Sequence, residues 1–310
     1  MISLRTHAIS LAAVFLALAI GVVLGSGLFS DTVLSGLRSD KADLRSQIDA
    51  LNDDKNELNE KLSAAGEFDG IMAPRILRDT LRDKAVVLFR TPDATDNDVD
   101  AVTRLVGQAG AGVSGTIALT PQFVDANSSE KLLSVVNSPI VPTGRQLSTN
   151  SVDQGSQAGD LVGISVLRGK EPAVADDQRE TVLATLRDTG FITYGTEKVG
   201  AADTAVIVTG GALGDDAGNR GATVARFAAG LAPHGGGTVL AGRDGSASGT
   251  AAVAVIRSDA ALSGAVSTVD NVDVESGRIT TVLALGELLR GGQPGRFGTG
   301  QGATSVTVPQ

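Results

Sequence analysis

The sequence predicts an α/β fold in which a single N-terminal transmembrane helix and a coiled coil precede a Rossmann-like β-α-β domain. Ile9 to Phe29 is an almost unbroken apolar run without a charge. About twenty such residues rise roughly 30 Å as a helix, which matches the hydrocarbon core of a bilayer. Leucines then recur every seven residues, at Leu37, Leu44, Leu51 and Leu58. Beyond them, short apolar runs alternate with amphipathic stretches and glycine breaks, the pattern of strands buried on both faces and covered by helices. The expected segments are an anchor over 1–30, a coiled coil over 31–66, a connector over 67–84, an α/β domain over 85–290 and a glycine-rich tail over 291–310.

Composition narrows the function. The net charge of -9 and pI of about 4.8 argue against a nucleic-acid surface. The chain has no cysteine, so disulfides, thiolate metal sites and cysteine nucleophiles are excluded. Aromatic residues make up only 3%, so the core must be built from Val, Ile, Leu and Ala.

The apolar run is longer than the 7–15 residues of a signal peptide core, and the basic flank is only Arg5, which favours an uncleaved anchor. Ala13, Ala17, Gly21 and Gly25 are spaced by four and would line one face, where small residues let two membrane helices approach closely. Charges do not settle the orientation, because Arg38, Lys41 and Arg45 lie beside Asp31, Asp40 and Asp43.

In the coiled coil, Leu34, Lys41, Ile48, Lys55 and Leu62 take the a positions, and Leu37, Leu44, Leu51 and Leu58 the d positions. The two lysines cost stability and tend to set register and a low oligomer number. In a parallel dimer Asp40 at g would face Arg45 at e of the other chain. The bland alternative is one amphipathic helix lying on the body. The narrow seam favours a coil, and Ala64-Ala65-Gly66 is expected to end it.

After a connector with a short helix around Arg75 to Leu81, the body reads as follows. Ala85–Phe89 is a buried strand. A helix follows, capped by Asp96 and carrying Val99, Val102, Leu105 and Val106, and then a strand from Val113 to Leu119. Pro121 opens a further helix, with more helices at Ser129–Val136, Gln154–Leu167 and Asp177–Thr189. Phe191–Tyr194 is a short strand. Ala205–Val208, Ala222–Leu231 and Thr238–Ala241 repeat the strand–helix–strand order, so two related β-α-β units are expected. Ala251–Ile256 reads as a strand, Ser276–Leu289 as the last helix, and Ser305–Val308 as an edge strand.

No enzyme chemistry emerges, and no catalytic, cofactor or metal residues are assigned. Thr209-Gly210-Gly211-Ala-Leu-Gly214 stands where an α/β fold cradles phosphate, but it lacks the G-x-G-x-x-G spacing and the P-loop lysine, and tight packing explains it better. Asp93, Asp96, Asp98 and Asp100 fail the EF-hand pattern, with Ala101 at the turn glycine and Gly107 at the bidentate Glu, so helix capping is preferred. Of the two histidines, only His234 could serve a triad, and no G-x-S-x-G elbow accompanies it.

The opening from Met1 to Ser26, together with Phe89-Arg-Thr-Pro-Asp93, Gln154-Gly-Ser-Gln-Ala-Gly-Asp160, Thr189-Gly-Phe-Ile-Thr193, Val208-Thr-Gly-Gly-Ala-Leu213, Leu240-Ala-Gly-Arg-Asp-Gly245 and Gly277-Arg-Ile-Thr-Thr-Val-Leu-Ala-Leu285, resembles the actinobacterial MctB/SteB family. The resemblance covers essentially the whole chain and implies a periplasmic body on a plasma-membrane anchor. It carries two functional labels. One is copper transport through an outer-membrane channel. The other is regulation of cell separation with the membrane protein SteA and a peptidoglycan hydrolase. Copper(I) asks for Cys, Met or His, and the body offers Met72 and His234. A membrane barrel needs many alternating strands and aromatic girdles, whereas this chain has one Tyr and no Trp. The residues therefore favour an anchored scaffold or regulator, assembled as a homo-oligomer or with a SteA-like helix. Copper transport is the alternative.

Overall fold

The computed structural model describes the backbone of residues 4–25, 28–150 and 152–309, and their side chains except at 4, 5, 24 and 28–39. The chain divides into two compact units, Met1–Ala65 and Gly66–Gln310.

The first unit is helical. Helix α1 spans Leu4–Gly25 and contains the one stretch among the described residues long and apolar enough to cross a membrane, Thr6–Val23, none of it buried. Helix α2 begins at Leu28 and ends at Ile76. It does not stop at Gly66, as the sequence suggested. A glycine inside a helix costs about 1 kcal/mol, whereas Ala73 beyond it is fully buried in the body. Of the expected short helix over Arg75 to Leu81, Arg75 and Ile76 are the end of α2, and 77–83 is a series of turns with Asp79 and Asp83 at positive φ. Leu77 and Leu81 are buried there without helical backbone.

The second unit is a seven-stranded sheet in the order β3-β2-β1-β4-β5-β6-β7, parallel except where β3 meets β2. Its strands are β1 Ala85–Arg90, β2 Gly112–Leu119, β3 Ile192–Tyr194, β4 Thr204–Val208, β5 Thr238–Ala241, β6 Val266–Val269 and β7 Arg296–Phe297. The helices are α3 Asp96–Gln108, α4 Pro121–Val124, α5 Ser129–Val136, α6 Gln154–Val166, α7 Asp176–Asp188, α8 Arg220–Leu231, α9 Ala252–Ser258, α10 Ala260–Ser263 and α11 Glu275–Leu289. Strand, helix and strand follow one another in β1-α3-β2 and again in β4-α8-β5.

Alternation along each strand divides the core. Val87, Phe89, Ala205, Ile207 and Leu240 face α6 and α8. On that side Phe227 makes edge-on contacts with Phe89 and Phe123, both with ring centres 5.2 Å apart. Val86, Leu88, Val206, Val208, Val239 and Ala241 face α3, α11 and the end of α2. Helices α6 and α8 touch backbone to backbone. A Cβ on Gly155 or Gly159 would lie 2.4 or 2.3 Å from the carbonyl oxygen of Thr223 or Phe227.

Three local expectations are corrected. Ala251–Ile256 is not a strand but the start of α9, because a short apolar run has no period long enough to separate helix from strand. The next sheet strand is the less apolar Val266–Val269. Ser305–Val308 forms no strand, only an isolated bridge from Ser305 to Phe297. The cap of α3 is Thr95, whose hydroxyl accepts from the Asp98 N–H, and Asp96 is already helical.

Asp203, just before β4, ties the sheet to the loop after α6. It accepts from Arg168 at 2.9 and 3.0 Å and from the Ala85 N–H at 2.7 Å. Burial pushes its carboxyl up, but the hydrogen bonds from Arg168 and Ala85 and the charges of Arg168 and Lys84 outweigh this and hold it below the usual value. A carboxylate with a depressed folded pKa stabilises above its unfolded pKa, and that stability is lost as pH falls through the folded value. The urea midpoint should therefore fall from pH 5 towards pH 3, with Asp203→Asn showing the smaller fall; equal falls would show that Asp203 contributes nothing.

Candidate functional site

The chain leaves β1 towards β2 on one side, while β4 continues to β5 on the other. Adjacent strands with oppositely directed connections open a crevice at their carboxyl ends, where doubly wound sheets take ligands. Here a cavity of about 530 Å³ lies at that point, reached by Thr91, Asp93, Asp125, Thr209, Asp216 and Arg220.

The glycine loop after β4 forms one wall, and its chemistry is already engaged. The Gly210 N–H donates to Asp93 Oδ2 at 3.2 Å, and the Thr91 hydroxyl bonds the other carboxylate oxygen. A Cβ on Gly210 would fall 2.5 Å from Asp93 Oδ2, and one on Gly211 2.6 Å from the Asp244 carbonyl oxygen. Close packing thus requires both glycines, and the amide that would hold a phosphate holds a carboxylate of the same chain. Three aspartates against one arginine also make the cavity unfavourable for an anion.

Asp93, Asp96 and Asp98, at the entry to α3, serve separate partners. Asp96 pairs with Arg90. Asp98 is buried between Arg243 at 3.1 Å and Arg278 at 3.0 Å, and it accepts from the Thr95 hydroxyl at 2.7 Å. Arg278 also reaches Glu275, which Arg104 holds at 2.8 Å. This network joins α3, the β5 loop and α11, and no local motif announces it.

His234 has a partner that sequence reasoning missed. Its Nε2 lies 2.7 Å from Asp160 Oδ1, while Asp160 Oδ2 accepts the Ser148 N–H at 2.6 Å. The ring sits against Gly163, where a Cβ would meet Cδ2 at 2.6 Å. Such a pair can orient an imidazole for proton transfer, but the 74-residue separation hides it from any spacing rule. No group of three or more His, Cys, Asp or Glu side chains suited to a metal occurs among the described residues.

On α2, Leu44, Ile48, Leu51, Leu58 and Leu62 are 52–67% exposed, and Lys41 and Lys55 are exposed with them. The side chains of Leu34 and Leu37 lie outside the described residues. On α1, Ala13, Ala17, Gly21 and Gly25 are likewise exposed, with nothing within 4 Å of a Cβ built on either glycine. Among the described side chains, one copy of the chain leaves both stripes uncovered.

A family model described as "Copper transport outer membrane protein, MctB" matches residues 1–308. The chain is 62% identical over 314 residues to proteins named Copper transporter MctB from Mycobacterium bovis and Mycobacterium tuberculosis, with all of each chain covered. It is 63% identical over 317 residues, again over all of both chains, to the protein of that name from Mycobacterium leprae.

Proposed function

The chain belongs to the MctB family of copper transport proteins, and from that premise we propose that it acts in copper transport at the cell envelope as an anchored, self-assembling protein. The observation that carries this is likeness along the entire chain to copper transporters. In this reading α1 holds the protein in the membrane, with the body on the periplasmic side. The leucine stripe of α2 pairs two copies in parallel, and Ala13, Ala17, Gly21 and Gly25 let their spans come close. The body binds and positions but catalyses no reaction.

The body's architecture supports an anchor rather than a barrel. A membrane barrel closes antiparallel strands and turns an apolar face outward. This sheet is open and mostly parallel, with helices over both faces. Copper in transit must also be released. A chain with no cysteine, two methionines and two histidines offers weak, exchangeable contacts rather than a tight chelate.

The exposed stripe supports a second reading, in which α2 takes a SteA-like helix and the protein regulates a peptidoglycan hydrolase in cell separation. The names of the relatives lend it nothing. Deleting the gene is expected to lower the copper concentration that halts growth, and the full chain should restore tolerance. Unchanged tolerance with chained, unseparated cells would replace transport with the second reading.

A further inference from the structure

We infer that Met72 side chains from two paired copies form a thioether site for Cu(I) at the body end of α2. The inference rests on the parallel pairing proposed above and adds a place where the cargo is held.

α2 runs on to Ile76 with Pro74 inside its last turn, so the seven-residue count can be carried past Leu62 as far as Met72, ahead of the proline. Past Leu62 at a come Ala65 at d, Asp69 at a and Met72 at d. Met72 therefore stands two heptads beyond Leu58 on the same seam. Successive helical residues are about 100° apart, so Met72 is turned well away from the side that Ala73 buries in the body. It is half-exposed, and Phe68 and Ile76 beside it are 62% and 44% exposed. That flank is apolar and uncovered in one copy.

A second copy fits it better than an unrelated partner. The seam is the one that begins at Leu34, and Asp40 at g meets Arg45 at e of the other chain with opposite charge. In a parallel pair, d side chains face each other. Met72 then meets its equivalent, and the unbranched side chains let two sulfurs converge. Thioethers are soft donors suited to Cu(I). Asp69, half-buried one layer away, adds negative charge that favours a monovalent cation. One chain supplies a single thioether here, so the site exists only in the assembly. Two thioethers without a thiolate hold the ion loosely enough to pass it on.

The test uses the full chain in detergent, with Cu(I) kept reduced by ascorbate and the bound metal counted after equilibrium dialysis. The wild type should sediment as a dimer and take one Cu(I) per pair. Met72→Leu keeps the packing volume, so it should keep the dimer mass and lose the Cu(I). Leu44→Asp with Leu51→Asp should lose both, and His234→Ala should lose neither. Cu(I) retained by Met72→Leu would overturn the site. Cu(I) retained by the zipper variant would overturn its origin between copies. A monomeric wild type would overturn the pairing beneath it, whereas unchanged copper tolerance in the deletion strain bears on the transport reading instead.

Discussion

Replacing Asp270 with alanine is expected to lower the unfolding free energy of the body by about 3–5 kcal/mol, because it strands a buried guanidinium. Arg257 and Asp270 are 3% and 2% exposed and bond at 2.5 Å. Burial pushes the Arg257 pKa down, against the opposing pull of Asp270. Each partner also holds the end of the chain. Arg257 donates to the carbonyls of Phe297 at 2.7 Å and Gln301 at 3.0 Å, and to the Thr268 hydroxyl at 3.0 Å. Asp270 accepts the N–H groups of Thr299 at 2.9 Å and Gly300 at 3.0 Å. Gly298 makes this approach possible: its φ is +123°, and a Cβ there would fall 2.1 Å from Asp270 Oδ1. Urea unfolding of the full chain in detergent reads the loss, and limited proteolysis should show the 296–305 segment cut first. Arg257→Met with Asp270→Leu removes both charges and should recover much of the stability, since a buried pair contributes little relative to apolar residues of similar size. A loss below about 1 kcal/mol for Asp270→Ala would mean that water reaches the pair freely.

The second large effect is on assembly. Leu44→Asp with Leu51→Asp should abolish the pairing proposed above and leave a monomer. Each leucine buried in a seam contributes about 1.5–3 kcal/mol, and a pair of chains loses four of them. The sum, roughly 6–12 kcal/mol, is of the order of a micromolar-to-nanomolar association, before the burial of four carboxylates is counted. In a single copy both positions are exposed on α2, so the substitutions leave the body's core untouched and change helix propensity only slightly. Light scattering in detergent gives the mass, and an unchanged mass would rule out pairing through these residues.

The sequence alone determined what local periodicity records. An uncharged run of membrane length, leucines on a seven-residue beat, and apolar strands between amphipathic helices each state which side of an element avoids water. That was enough for the apolar N-terminal helix and the α/β class with its mostly parallel sheet. It was not enough where a run is too short to have a period, as at Ala251–Ile256, or where a strand is half polar, as in Val266-Ser-Thr-Val269. Nor could it end α2, because Gly66 tolerates a helix that burial of Ala73 extends.

What only the tertiary structure decided are the meetings of distant residues. Asp93 reaches Gly210 across 117 positions, Arg278 reaches Asp98 across 180, and His234 reaches Asp160 across 74. The order β3-β2-β1-β4-β5-β6-β7 places the carboxyl ends of β1 and β4 side by side and so opens the crevice. A charge can be satisfied by any opposite charge that packing brings near it, so its partner is chosen by the arrangement of the sheet and leaves no mark on the residues around it.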